Sequence, residues 1–340
     1  MKYDIKSMHL SEIEEHFAGS GYERYRAKQV FSWLHKGVRT FDEMTNISLD
    51  LRKALDHEFY ITSPAIIKKQ VSKIDGTGKY LWRLHDGEAI ESVLMEYTHG
   101  NSICISTQVG CKMGCLFCAS ALGGFRRDLT PSEMLDQVLF TMQDSGKRIS
   151  NVVLMGIGEP LDNFDNVMRF IDIVRHSAGI NIGSRHLTVS TCGIIEKIDR
   201  IAEYGVQLTV AISLHAPDDV TREYLIPSSK GTSVNNLIQA CNRYFKETGR
   251  RVTYEYALID KINDSPESAE MLSKLLSKTG SHLNIITLSR FEESNFKPSP
   301  AESIKRFTEI LKENKINYTL RRPLGSDIGA SCGELRWQTL

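Results

Sequence analysis

The sequence predicts an α/β fold, an incomplete (β/α)6 barrel of the TIM type preceded by a small helical segment and a short antiparallel β bridge. Two observations carry this. From about residue 101, apolar runs of strand length alternate with runs of helical period, six times in succession. Upstream, the chain reads first as helix and then as short β-type runs joined by turn residues.

Up to residue 60, Ser11 and Glu14 form an S-x-x-E pattern that predicts a helix start. In "RAKQVFSWLHKG", Ala27, Val30, Phe31 and Leu34 fall on one helical face and Gly37 can end the helix. Over 61–100, "AIIKKQVSKI", "GKYLWRL" and "AIESVLMEY" read as strands, the first two separated by "DGTG". The barrel is expected over 101–322, with strands at "SICIS", "NVVLM", "HLTVS", "LTVAISL", "VTYEYAL" and "LNIITL". Helices are expected at "TPSEMLDQVLFTM", "NVMRFIDIV", "VNNLIQACNRYF" and "PESAEMLSKLL". Thr130, Pro131 and Glu133 mark one start as N-cap, first-turn proline and capping-box glutamate. Residues 323–340 read as a C-terminal loop.

Composition narrows the function. The chain has 340 residues, with 42 Lys and Arg balanced by 42 Asp and Glu, so any nucleic-acid surface must be a local patch. No N-terminal apolar region and no run of about 18 apolar residues occur, so a cytoplasmic protein without membrane attachment is expected. Seven cysteines in a chain of this length point to metal or redox chemistry rather than to disulfide staples.

Three of those cysteines, Cys111, Cys115 and Cys118, are spaced C-x3-C-x2-C directly after the first barrel strand. In a β/α barrel the carboxyl ends of the strands carry the chemistry. A zinc knuckle or buried thiols are the alternatives, but zinc usually takes a fourth protein ligand and no close downstream cysteine or histidine supplies one. Three thiolates suit a 4Fe-4S cluster with one iron left open.

With "ESVLMEYTHGNSICISTQVGCKMGCLFCAS", "GFRRDLTPSEMLDQV", "NVVLMGIGEPLDN", "LTVSTCGII", "AISLHAPDDVTREYLIP", "YEYALIDKINDS" and "GSDIGASCGEL", the chain resembles the RlmN/Cfr family of radical S-adenosylmethionine 23S rRNA adenosine methyltransferases over nearly its whole length. The resemblance implies that Cys111, Cys115 and Cys118 hold the cluster. It implies that S-adenosylmethionine, two molecules per turnover, binds against Gly158, Glu159, Ser190, Ser213, Leu214 and His215. It further implies that Cys332 is methylated and then carries the methylene group to the base. Glu91 would accept the ring proton, and Cys104 would release product through a transient disulfide with Cys332. The family asparagine in the sixth strand segment stands here as Ser289, whose role is not carried over, and the usual "AACGQL" has Ser331 and Glu334.

The resemblance lies closer to RlmN, which implies methylation at carbon 2 of an adenosine in 23S rRNA and of the adenosine 3′ to the anticodon of some tRNAs. It implies a flavodoxin- or ferredoxin-like reductant, a monomer, and an N-terminal helical domain in contact with RNA. Cfr-type methylation at carbon 8, and a non-catalytic RNA-binding iron-sulfur protein, are the rival readings. The pairs Arg126/Arg127, Arg250/Arg251 and Arg321/Arg322 stand where phosphate neutralisation is expected. Cys192 receives no role, and Cys241, in a helical pattern, reads as core.

Overall fold

A computed structural model describes residues 2–98, 100–277, 279–289, 294–331 and 334–335. Ten strands form one sheet whose spatial order follows the chain. They are β1 Ala65–Val71, β2 Gly78–Arg83, β3 Ala89–Tyr97, β4 Gly100–Cys104, β5 Ile149–Leu154, β6 Leu187–Thr191, β7 Thr209–Ser213, β8 Thr253–Leu258, β9 His282–Thr287 and β10 Tyr318–Arg321. Neighbours from β1 to β4 run antiparallel, and all pairs from β4 to β10 run parallel. This is the expected α/β partial barrel with its antiparallel lead-in. It has seven parallel strands rather than six. The added strand, Tyr318–Arg321, is short and partly exposed and carries Thr319 and Arg321 among its four residues, so no apolar run announces it.

The four helices expected between strands all form: α4 Pro131–Ser145, α5 Phe164–Arg175, α8 Val234–Thr248 and α9 Pro266–Leu276, with α6 Ile195–Glu203, α7 Asp219–Leu225 and α10 Ala301–Glu313 besides. The start of α4 shows why: Thr130 accepts from the Glu133 N–H at 3.3 Å while Glu133 accepts from the Thr130 N–H at 3.0 Å. The left-handed Gly146 ends it. Because β/α units bury both faces of the parallel strands, Val152, Val189, Val210, Ile212, Tyr254 and Ile285 all lie in one core.

The N-terminal segment contributes α1 Leu10–Gly19, α2 Arg24–Leu34 and α3 Leu49–Glu58. Here the capping expectation is corrected. Helix α1 begins at Leu10, before Ser11, and Glu12 rather than Glu14 reaches back, accepting from the His9 N–H at 2.6 Å. Burial of Leu10 draws the helix start two residues earlier, and Arg169 holds the Glu12 carboxylate in place. Ala27, Val30, Phe31 and Leu34 face inward on α2 as their spacing predicts. The segment shares its core with the barrel, and Lys6 reaches into it to pair with Asp136 of α4 and donate to the Thr62 carbonyl at 2.6 Å. Among the described residues no helix is long and apolar enough to cross a membrane.

Candidate active site

The chain between β4 and α4 forms a hairpin with the three cysteines at its tip. Gln108–Gly110 pairs antiparallel with Phe125–Asp128, and the Cys111 N–H donates to the Gly124 carbonyl at 3.0 Å. Gly110, at φ +74°, has no alternative, because a Cβ there would lie 1.8 Å from the Gly124 oxygen. The hairpin hangs over the carboxyl ends of the parallel strands. There Cys111, Cys115 and Cys118 line one cavity, open at its mouth, together with Gly158, Glu159, Ser190, Ser213 and His215. Five of the six residues assigned to the cofactor therefore reach the cavity. Leu214 does not line it: its side chain is fully buried in the main core and its N–H is spent on the Glu255 carbonyl.

Glu159 is held rigidly. One carboxylate oxygen accepts from the Cys192 N–H at 2.7 Å, the other from the Leu161 N–H at 3.0 Å, and the residue's own N–H donates to Gln108 Oε1 at 2.8 Å. Burial pushes its carboxyl group up, and the backbone donors oppose that. Gly158, at φ +109°, brings the chain against Gln108, where a Cβ would meet Gln108 Cβ at 2.6 Å. His215 sits at φ +56°, and its Nδ1 accepts from the Ala257 N–H at 3.0 Å. Burial, with the Arg222 guanidinium nearby, pushes its imidazole down to about 3, so the ring is neutral at pH 7.

The donor set fits a 4Fe-4S cluster. All three thiols line one cavity, and the Glu159 carboxylate, Ser190 and Ser213 line it with them, polar groups that a cofactor bound there would meet. No three His, Cys, Asp or Glu side chains among the described residues converge on a single-ion site, and a cubane takes each thiolate on a separate iron. Beside the cavity, Arg222 is fully buried with Nε and Nη1 lacking hydrogen-bond partners, and its charge acts on Cys192 and Cys115. An anionic group is what such a guanidinium lacks. Burial pushes the Cys111 thiol up to about 12, so cluster assembly must displace its proton.

A second group forms on the face of the antiparallel lead-in. Val93 of β3 stands opposite Lys79 of β2 on one side and Cys104 of β4 on the other, so the three side chains form one cross-strand row. Glu91, two residues before Val93, shares that face and pairs with Lys79 at 2.9 Å. Cys104 packs in an apolar cluster with Val93, Ile157 and Leu335, against which Ala330 also packs. Cys332 itself lies outside the described residues. Its neighbours Ala330 and Leu335 bring the chain on both sides of it to the cluster around Cys104.

The members of each arginine pair part company in the structure. Arg127 is committed to Asp86 at 2.6 Å and bidentately to Glu133 at 2.8 Å, and Arg250 to Thr209 at 3.0 Å. Arg321 turns into the cavity toward Glu255 at 3.5 Å. Arg126, Arg251 and Arg322 remain exposed. Sequence reasoning missed Glu255, Arg321 and Cys192 as cavity residues. A carboxylate inside the apolar run "VTYEYAL" was a readable signal, since Glu255 is buried and burial pushes its carboxyl up. Cys192 carried none, and its sulfur lies 3.9 Å from that of Cys115. Ser289 lines a separate, smaller cavity with Tyr97, Arg322 and Ser331. Cys241 is core, as read.

This fold and this site define a radical S-adenosylmethionine enzyme, and residues 105–272 match the model of the Radical SAM superfamily. Residues 3–61 match the Ribosomal RNA large subunit methyltransferase N-terminal domain. A protein of Lachnoclostridium phytofermentans described as a probable dual-specificity RNA methyltransferase RlmN is 48% identical over 98% of this chain and 94% of its own length. Its counterpart in Alkaliphilus metalliredigens is likewise 48% identical, over 98% and 95%. The crystal structure of a radical SAM methyltransferase from Sphaerobacter thermophilus superposes with a TM-score of 0.93 at 40% identity, covering 98% of this chain and 99% of that one. The chain belongs to the RlmN family of radical SAM RNA methyltransferases, and membership implies a 4Fe-4S cluster and S-adenosylmethionine as its cofactors.

Proposed function

We propose that this enzyme methylates carbon 2 of an adenosine in the peptidyl-transferase loop of 23S rRNA and of the adenosine 3′ to the anticodon in some tRNAs, through an S-methylated Cys332, consuming two S-adenosylmethionine molecules per product. The observation that carries this reading is the packing of Ala330 and Leu335, on either side of Cys332, around Cys104 on the face that also bears Glu91. A sulfur that carries carbon to a base needs a second thiol to release it, and a ring carbon that gains a substituent needs a proton acceptor. Both groups stand on one face of neighbouring strands.

The bound cluster and cofactor supply a carbon-centred radical; the rest is the work of the chain's own side chains. Cys111, Cys115 and Cys118 hold the iron. Glu159, fixed by three hydrogen bonds, takes the cofactor's ammonium group, with Gly158 allowing close approach. Ser190 and Ser213 offer hydroxyls, and neutral His215 packs edge-on against Phe117 of the cysteine loop at 4.8 Å. Cys332 carries the carbon, Glu91 removes the ring proton and Cys104 closes the disulfide that frees the RNA.

Residues 1–60 act as an RNA-contacting domain, 61–100 as the β extension, 101–322 as the barrel and 323–340 as the loop that presents Cys332. Support for RNA contact comes from α2 and the turn after it, where Tyr25, Lys28, Trp33 and Lys36 line one groove, Lys36 stacks on Trp33 at 4.4 Å, and Arg26 stacks on half-exposed Tyr25 at 4.8 Å. Such alternation of aromatic and basic groups suits stacked bases and phosphates. The target adenine must leave its stack to reach the site. The enzyme works in the cytoplasm as a monomer, with a flavodoxin- or ferredoxin-like electron donor. Mass spectrometry of 23S rRNA and tRNA nucleosides from cells lacking and re-expressing the gene tests this reading. A restored methyl on adenine carbon 2 is expected. A methyl on carbon 8, or none on either RNA, refutes it.

A further inference from the structure

Lys79 stands at the meeting point of the second group. Its ammonium pairs with Glu91 Oε1 at 2.9 Å and donates to the Gly329 carbonyl at 2.9 Å, three residues before Cys332. Its side chain is only 11% exposed, so both contacts are made largely out of water, where they are strongest. The loop it touches is tied to the same hairpin twice more: the Gly325 N–H donates to Asp75 at 2.9 Å, and Asp327 accepts from the Lys73 N–H at 3.0 Å. Beyond Cys332, the Ser120 hydroxyl of the cysteine loop donates to the Leu335 carbonyl at 2.7 Å.

We propose that Lys79 is a positioning residue that locks the C-terminal loop and the Glu91 carboxylate into one arrangement, so that the carbon-carrying sulfur and the proton acceptor reach the adenine together. The proposal rests on the reading of Glu91 and Cys332 given above. Three features carry it. Lys79, Glu91 and Cys104 share one face through register alone. One ammonium makes both contacts, so loss of Lys79 releases the loop and the carboxylate together. The Asp75 and Asp327 contacts hold the loop but do not touch Glu91, which gives Lys79 a function the other clasps lack.

The test uses the full-length, cluster-loaded protein and compares Lys79→Met, which keeps the apolar stem, with Lys79→Arg, Asp75→Ala and Glu91→Gln. Amide hydrogen exchange over residues 325–331 and the RNA-linked species on a denaturing gel after a single turnover are read together. Iron content and cleavage of S-adenosylmethionine check that the cluster site is intact. Lys79→Met is expected to raise exchange about tenfold, as for loss of one hydrogen bond to a charged donor, and to accumulate RNA-linked protein as Glu91→Gln does. Lys79→Arg should restore both toward wild type. Asp75→Ala should raise exchange without accumulating the linked species, which separates positioning of Glu91 from loosening of the loop. Unchanged exchange in Lys79→Met, or no linked species in it while Glu91→Gln accumulates one, overturns the proposal. If Glu91→Gln turns over normally, the proton-acceptor reading fails by itself, and exchange alone then decides whether Lys79 clamps the loop.

Discussion

Replacing Gly158 by alanine probes the cofactor cradle at its tightest point. At φ +109° any L side chain is strained, at a cost of about 1–3 kcal/mol. The new Cβ would also lie 2.6 Å from Gln108 Cβ and 2.8 Å from Gln108 N, a crowding that adds about 1–3 kcal/mol. Gly249→Ala is the control, because its φ of +67° is strained but nothing lies within 4 Å, leaving about 1–2 kcal/mol. At ~2.1 cal/mol/K per residue over 340 residues, each kcal/mol moves Tm by about 1.4 °C. The expected drops are therefore about 3–8 °C for Gly158→Ala and about 1–3 °C for the control. Gln108 also holds the Glu159 N–H at 2.8 Å, so its displacement shifts the carboxylate. Equilibrium dialysis of S-adenosylmethionine on the reconstituted protein should show affinity weakened about tenfold to a hundredfold, as for an ångström-scale misplacement. Melting and binding both indistinguishable from Gly249→Ala would refute the reasoning.

Three other outcomes follow from named contacts. Lys6→Met leaves the fully buried Asp136 without its cation and should cost about 3–5 kcal/mol, read as a lower urea midpoint, while Lys6→Met with Asp136→Leu should recover part of the loss. Burial pushes the imidazoles of His35 and His215 each down to about 3. A folded-state value below the unfolded one gives stability that is complete above about pH 6.5 and is lost as pH falls toward the folded value, by up to ~1.4 kcal/mol per pH unit for each histidine. Urea midpoints of cluster-free protein should therefore fall between pH 7.5 and 5.5, and His35→Gln should flatten the slope. Cys111→Ala should leave the fold melting cooperatively but strip iron on anaerobic reconstitution, as measured by metal analysis; full iron content would contradict the assignment of the cluster.

The parallel strands were legible because buried β/α units read as continuous apolar runs, and α4 because its cap residues are local. Strand β10 was not, since Tyr318–Arg321 pairs with β9 through backbone while its side chains stay partly exposed. The start of α1 was misplaced because Glu12 is held by Arg169, a contact across 157 residues that no window of sequence contains. In the site, the cysteine triplet and "GIGEP" announce themselves by spacing. Glu255 and Arg321 meet only when β8 and β10 close the cavity, and Lys79 reaches Glu91 through strand register and Gly329 only through the fold of the C-terminal loop. The arginine pairs misled for the same reason: whether Arg127 faces phosphate or Glu133 depends on the hairpin that the cysteine loop folds into.

The central claim is that carbon reaches the RNA through Cys332 and that Cys104 then frees the RNA from Cys332, and one gel tests it most directly. Cluster-loaded Cys104→Ala and Cys332→Ala proteins are mixed with labelled RNA, reductant and S-adenosylmethionine, quenched, and run under denaturing conditions. The account predicts that Cys104→Ala keeps its iron, cleaves the cofactor and accumulates RNA-linked protein, while Cys332→Ala forms none. Normal turnover by Cys104→Ala without added thiol and with no RNA-linked band would contradict it, leaving Cys104 a core residue of β4.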